Sequence, residues 1–152
     1  MPAAFRDATP ADVPAILAHQ RDYYATDGYA FDEAAAREAI AGLLADAHRG
    51  RLWVLADAGA VVGYLAVTFG WSLEYQGRDA FVDELYVAPS HRGRGLGRAA
   101  MTLAEEACRA AGVRALHLEV ERENATARAL YARMGFGDTG RILMTRRLTR
   151  PR

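Results

Sequence analysis

The chain has 152 residues, 51% of them apolar and 25% charged, with a formal net charge of zero. That length suits one domain with its own core, and the composition excludes global disorder. Neutrality removes any general pull toward nucleic acid or an anionic membrane surface, and no apolar run reaches the ~20 residues of a membrane-spanning helix. A single cysteine, Cys108, excludes an internal disulfide and a cysteine-based zinc cluster. All 19 basic residues are arginine. Without lysine there is no Schiff-base chemistry on a lysine and no phosphate loop of the GKS/T type. The amino terminus has no basic region followed by an apolar stretch, so no secretory leader is expected and the location expected is cytoplasmic.

Residues 5–8 are expected as a first strand. Thr9 or Asp12 caps a helix to about residue 20, with Pro10 in its first turn. Residues 21–30 (RDYYATDGYA) read as a loop, and Asp32 caps a second helix to about residue 48, ended by Gly50. Residues 52–58 and 61–69 flank a short turn at 57–59 and form a strand hairpin; residues 70–78 read as a loop. Residues 81–87 (FVDELYV) form a further strand, stopped by Pro89. A helix from about 95 to 111 follows, with Leu96, Ala100, Leu103, Ala104, Ala107 and Ala111 on its apolar face and Gly112 at its end. Residues 115–121 alternate, with Leu116, Leu118 and Val120 on one face. Asn124 caps a helix whose stripe is Ala127, Leu130, Tyr131 and Met134; Gly135 stops it and Phe136 supplies the hydrophobic contact of a C-cap. Residues 142–148 close the chain as a last strand. The order implies an α/β fold: a mixed, mostly antiparallel sheet, helices on both faces, and one parallel strand pair in the middle, forced by the strand–helix–strand crossover.

The segment 87–100, VAPSHRGRGLGRAA, is the richest in chemistry. Gly93, Gly95 and Gly97 alternate where a strand hands over to a helix. A helix N-terminus carries four unpaired N–H groups and partial positive charge, and glycine lets that backbone approach an anion. Arg92, Arg94 and Arg98 surround the same turn. The plain structural alternative is a flexible turn with solvated arginines. A dinucleotide site is a second alternative, because Gly95, Gly97 and Ala100 match G-x-G-x-x-A. It fits poorly: seven residues (88–94) separate the strand from the first glycine, and too little chain follows for a doubly wound sheet.

Arg92-x-x-Gly95-x-Gly97 resembles the pyrophosphate loop of the GNAT superfamily of N-acetyltransferases. FVDELYV with Pro89 resembles that family's fourth strand. Residues 124–131 (NATARALY) with Gly135-Phe136 resemble its last helix. The likeness spans residues 80–137, and the whole chain, 1–152, is then expected as one N-acetyltransferase domain. It implies acetyl-coenzyme A as co-substrate and no metal. Leu85, Tyr86 and Val87 would carry the pantetheine arm. Arg92, Gly93, Arg94, Gly95, Leu96, Gly97 and Arg98 would hold the pyrophosphate, with Asn124 also on the cofactor. It implies Tyr131 as general acid and Asp83 or Glu84 as the base, acting through water. The acceptor would be a small-molecule amine, attacking the thioester directly. Residues 73–77 resemble diamine acetyltransferases, which favours a polyamine. Protein N-terminal acetylation and a non-catalytic acyl-coenzyme A-binding module are the alternatives, and a homodimer is compatible with the family.

Each of these residues also has a bland reading. Tyr131 fits a core stripe, Asn124 is a helix cap, and Asp83 or Glu84 can pair with an arginine. Because strand side chains alternate, the two acids are not expected to point into one site. Cys108 reads as core. His91 reads as solvated, His117 lies on a polar strand face, and the four histidines show no metal-ligand spacing. Tyr23, Tyr24 and Tyr29, with Asp22 and Asp27, crowd the segment where the family builds its acceptor wall, and their acids would suit an amine.

Overall fold

Alternating burial explains the sheet. Trp53, Leu65, Val67 and Ala80 turn to one face, where Ala100, Ala104 and Cys108 pack against them. Leu52, Val54, Tyr64, Ala66 and Tyr86 turn to the other, against Val13, Ile16, Leu17 and Ile40. The structure is a computed structural model and describes residues 2–149. The chain divides into two compact units at residues 118 and 119.

The first unit holds β1 (Ala4–Asp7), a 3-10 turn (Pro10–Asp12), α1 (Val13–Asp27), α2 (Glu33–Ala45), β2 (Gly50–Asp57), β3 (Ala60–Ser72), β4 (Gly77–Val87), a second 3-10 turn (Pro89–His91), α3 (Leu96–Ala110) and β5 (Ala115–His117). The strands lie in the order β1-β2-β3-β4-β5. All pairs are antiparallel except β4 and β5, which run parallel. The expected mixed sheet with helices on both faces is what forms. Its parallel pair lies at one end of the described sheet rather than in the middle. α3 approaches closely because Ala100 and Ala104, both wholly buried, present only methyl groups. Cys108 is buried among them as expected, and burial pushes its thiol pKa up.

Asp32 caps α2 as expected, its side chain accepting from the Ala35 N–H at 3.1 Å. The hairpin turn carries Ala58 and Gly59 at φ 49° and 82°, the pair of positive values that a two-residue turn between twisted strands needs. Two expected loops are regular structure. Residues 21–27 continue α1 by two further turns, because Tyr23 packs on the core and tertiary contact outweighs weak helix propensity. Gly28, at φ 74°, ends that helix. Within 70–78, Gly70, Trp71 and Ser72 pair with Asp79, Arg78 and Gly77, so β3 and β4 form a long hairpin.

The second unit holds α4 (Ala125–Arg133). The Asn124 side chain accepts from the Ala127 N–H, and Gly135, at φ 92°, ends the helix. The Phe136 N–H donates to the Tyr131 carbonyl at 3.0 Å, with their rings 6.0 Å apart, so the expected C-cap contact is present. The expected strand over 142–148 is absent. Those residues carry no regular structure, and Ile142, Leu143, Met144 and Leu148 are exposed. A strand needs a hydrogen-bonded neighbour, and β5 itself keeps only three residues of the seven expected.

Arg6 grips Asp12 with two hydrogen bonds of 2.8 Å, and the Thr9 N–H adds a third. Asp12 is 7% exposed, and these donors, against the opposing effect of burial, hold its pKa down at about 2. A depressed carboxylate stabilises the fold above its unfolded pKa and loses that contribution as pH falls through the folded value. Between pH 5 and 2 the protein should therefore lose on the order of 1–2 kcal/mol through this pair, discounted because Arg6 is half exposed. Arg6→Met should flatten that part of the stability–pH curve, measured by urea unfolding at a series of pH values.

Candidate active site

The β3–β4 ladder slips by one residue. Ala66 pairs with Glu84, but Val67 pairs with Val82, so Asp83 is the extra residue of a β-bulge. Val82 and Leu85 both pack toward α3. The two residues between them, Asp83 and Glu84, therefore both turn to the face under α1 and α2. This corrects the expectation from strict alternation: the two acids do share one face.

Glu84 is held from three sides. Tyr24 Oη donates to Oε2 at 2.5 Å; Tyr64 Oη donates to Oε1 at 2.7 Å and Gln20 Nε2 at 3.0 Å. The Tyr24 and Tyr64 hydroxyls are pushed well above the ordinary tyrosine range, first by burial and then by the Glu84 carboxylate. Both therefore stay protonated and act as donors. Asp83 also raises Tyr24, which places its charge beside the same cluster. Gln20 Oε1 is buried and has no hydrogen-bond partner among the described residues. Asp83 itself is exposed and lines a cleft with α2 residues, Arg49 and Thr68. Sequence reading named Tyr24 but missed Gln20 and Tyr64. The available signal was Tyr64 itself, a tyrosine whose strand position faces the core and whose hydroxyl must find a partner there.

Beyond the bulge, β4 runs toward the glycine turn. β5 pairs with β4 only at Asp79, Ala80 and Phe81. The edge of residues 82–87 opposite β3 therefore meets no strand among the described residues. The Leu85 side chain packs toward α3, and Tyr86 stacks with Tyr23 and Tyr64 at 5.9 and 6.1 Å. The second 3-10 turn is tied to the β2–β3 hairpin by His91, whose Nε2–H donates to the Asp57 carboxylate at 2.7 Å while Nδ1 shares a hydrogen bond with Ser90 Oγ at 2.8 Å. His91 is thus a clamp rather than a solvated side chain.

Gly93 and Gly95 both adopt φ 76°, and a Cβ built on either would meet nothing within 4 Å. Gly95 is the N-cap of α3, so the N–H groups of Leu96, Gly97 and Arg98 fall in its first turn, where helical acceptors are lacking. Of the surrounding arginines, Arg92 folds back: its Nε donates to the Val87 carbonyl at 2.8 Å and its guanidinium lies 5.5 Å from the Tyr86 ring centre. Arg94 donates to the Ser90 carbonyl at 3.3 Å, and Arg98 is exposed. In the second unit, Asn124 caps α4 and Tyr131 lies on that helix, where burial raises its hydroxyl pKa.

The model of the acetyltransferase (GNAT) family matches residues 14–136 of this sequence. The chain belongs to the GNAT family. An L-methionine sulfoximine/L-methionine sulfone acetyltransferase from Pseudomonas paraeruginosa is 31% identical over 147 residues, 93% of this chain and 84% of that protein. A streptothricin acetyltransferase from Streptomyces lavendulae is 37% identical over 83 residues, 54% of this chain and 41% of that protein. In that relative and three others the matched stretch is only 20–56% of the relative's length. An integron cassette protein from the mobile metagenome of Cole Harbour Salt Marsh has the same fold, with a TM-score of 0.86 and 37% identity over 97% of this chain and 91% of its own. As a GNAT domain, the chain places its fourth strand at β4 and its glycine turn at the start of α3.

Removing the Glu84 carboxylate strands two tyrosine hydroxyls and one amide in a largely buried cluster. Glu84→Ala should therefore cost about 2–4 kcal/mol, measured by urea unfolding. Tyr24→Phe, which deletes one donor and leaves the acid held by the other two, should cost about 1 kcal/mol.

Proposed function

We propose that the protein transfers an acetyl group from acetyl-coenzyme A to a primary amine of a small molecule. The observation that carries this is the strand edge of residues 82–87, which has no strand partner opposite β3 among the described residues and is joined by the second 3-10 turn to a left-handed glycine turn at a helix N-terminus. The open space before Gly93 and Gly95 fits a bulky anion, and the N–H groups of Leu96, Gly97 and Arg98 would hold a pyrophosphate there. Arg94 and Arg98 would add charge, and Arg92 would do so by leaving Val87. The backbone of Leu85, Tyr86 and Val87 would hold an amide-bearing arm as an added strand would. Asn124 would join the cofactor contacts. When bound, acetyl-coenzyme A supplies the activated acyl group.

The acceptor amine must arrive neutral. An alkyl amine of pKa near 10 pays about 4 kcal/mol to lose its proton at pH 7. Asp83, exposed at the bulge, would take that proton through water, while Glu84 holds the tyrosine cluster beside it. Backbone N–H groups at the bulge would face the developing oxyanion. Tyr131, kept protonated by its raised pKa, would give its Oη proton to the leaving thiolate. The methionine sulfoximine and streptothricin relatives, named for small-molecule acceptors, support a small molecule over a protein N-terminus.

Gly95→Val puts a branched side chain at φ 76° and into the anion's space. Binding of acetyl-coenzyme A, followed by calorimetry, should fall at least about tenfold while the fold persists, and NAD should not bind the parent protein. Tyr131→Phe should lower the single-turnover acetylation rate by about 10²–10⁴. A mere packing role for that ring would leave the rate near normal.

A further inference from the structure

The bulge opens Asp83 onto a cleft of about 380 Å³ between α2 and the sheet, lined also by Glu38, Gly42, Leu43, Arg49 and Thr68. That volume is in the range of small-molecule sites. The lining is of mixed charge: carboxylates of Glu38 and Asp83, the guanidinium of Arg49 and a threonine hydroxyl. Arg49 is tethered there by two contacts. Its Nη1 donates to the Gly42 carbonyl at 3.0 Å, and its Nε is ion-paired with Asp46 at 3.5 Å. Gly42 makes room for it, since a Cβ at that position would stand 3.1 Å from Nη1. A guanidinium carries five N–H donors, so most remain for another partner. Its planar fork matches a carboxylate or a similar oxyacid.

These features bear on the acceptor. A plain dianion would meet Glu38 and Asp83, and a polyamine would offer no acceptor to the remaining donors of Arg49, whose charge Asp46 already offsets in part. A molecule with one amine and one acid group meets a partner for each. We propose that this cleft is the acceptor subsite and takes a compact zwitterion, a free α-amino acid or close analogue, with its ammonium at Asp83 and its acid group at Arg49. This rests on the reading of Asp83 as the group beside the attacking amine. It replaces a polyamine, which the 73–77 likeness favours, with an amino acid. Arg49 is then the specificity-determining residue.

The test compares matched pairs in the presence of acetyl-coenzyme A. L-methionine, L-leucine and L-phenylalanine are set against their decarboxylated amines, with spermidine alongside, and free thiol is followed. At least one amino acid should exceed its decarboxylated partner in kcat/KM by on the order of 10²-fold or more, because a site built to pair a charge rejects the analogue that lacks it. Arg49→Met should collapse that preference to within a few-fold, and Arg49→Lys should restore part of it. Arg49 is 62% exposed, so these variants should fold, and their unchanged affinity for acetyl-coenzyme A checks this. Calorimetry of the same amino acids against coenzyme A-saturated protein reads the cleft without turnover. Amino-acid binding that Arg49→Met abolishes, with no thiol released from any amine, would uphold the subsite and overturn the transferase reading. Turnover of plain amines or spermidine as fast as amino acids, or a preference that survives Arg49→Met, would overturn the subsite and leave the transferase standing. Neither binding nor turnover of any amino acid would overturn it too.

Discussion

One extra residue in β4 decides which side chains share the sheet face under α1 and α2. Without the bulge at Asp83, the alternation that buries Val82 against α3 would send Asp83 toward α2 and Glu84 into the opposite core. With it, both acids stand on one face, and the strand beyond resumes with Leu85 inward to α3 and Tyr86 stacked among tyrosines. The division of labour follows from depth. Glu84 sits where two tyrosine hydroxyls and an amide reach it, so its oxygens are engaged. Asp83 sits at the mouth, beside a cleft able to receive a ligand. A half-buried carboxylate held by donors keeps a geometry, and an exposed one can exchange a proton with water.

A second constraint is where the sheet lets go. β5 leaves β4 after three paired residues, so beyond Phe81 that edge of β4 has no strand partner among the described residues as the chain runs on to the glycine turn. Both ends of that turn are anchored. His91 ties the preceding residues to Asp57 on the β2–β3 hairpin, and α3 is seated by buried alanines. A turn whose N–H groups are to hold an anion, as proposed, needs such anchoring, because backbone donors cannot readjust as side chains do. The glycines supply the conformation, and the neighbouring structure supplies the rigidity.

Local chemistry made much of this legible. Asp32 as a cap, the tight hairpin, the glycines before α3, and the Asn124–Phe136 helix with its C-cap all depend on residues within a few positions of each other. What stayed hidden depends on distant partners. The continuation of α1 through Tyr23 and Tyr24 is settled by the core and by Glu84, sixty positions away. Gln20 and Tyr64 join the site only through that same contact. A bulge leaves no mark in the alternation of FVDELYV, so the shared orientation of the two acids required coordinates. The run Ile142, Leu143, Met144 suggested a strand by composition, yet a strand exists only where a ladder partner stands, and among the described residues none pairs there.

The proposed function requires the β4 edge and the glycine turn to form one continuous cofactor surface. Titrating acetyl-coenzyme A into isotopically labelled protein and following backbone amide resonances tests it directly. The amides of Leu85 and Val87 and those from Gly93 to Arg98 should move together along one saturation curve, while those of β1 stay still. Shifts confined to other elements, or the same shifts produced by NAD, would contradict it.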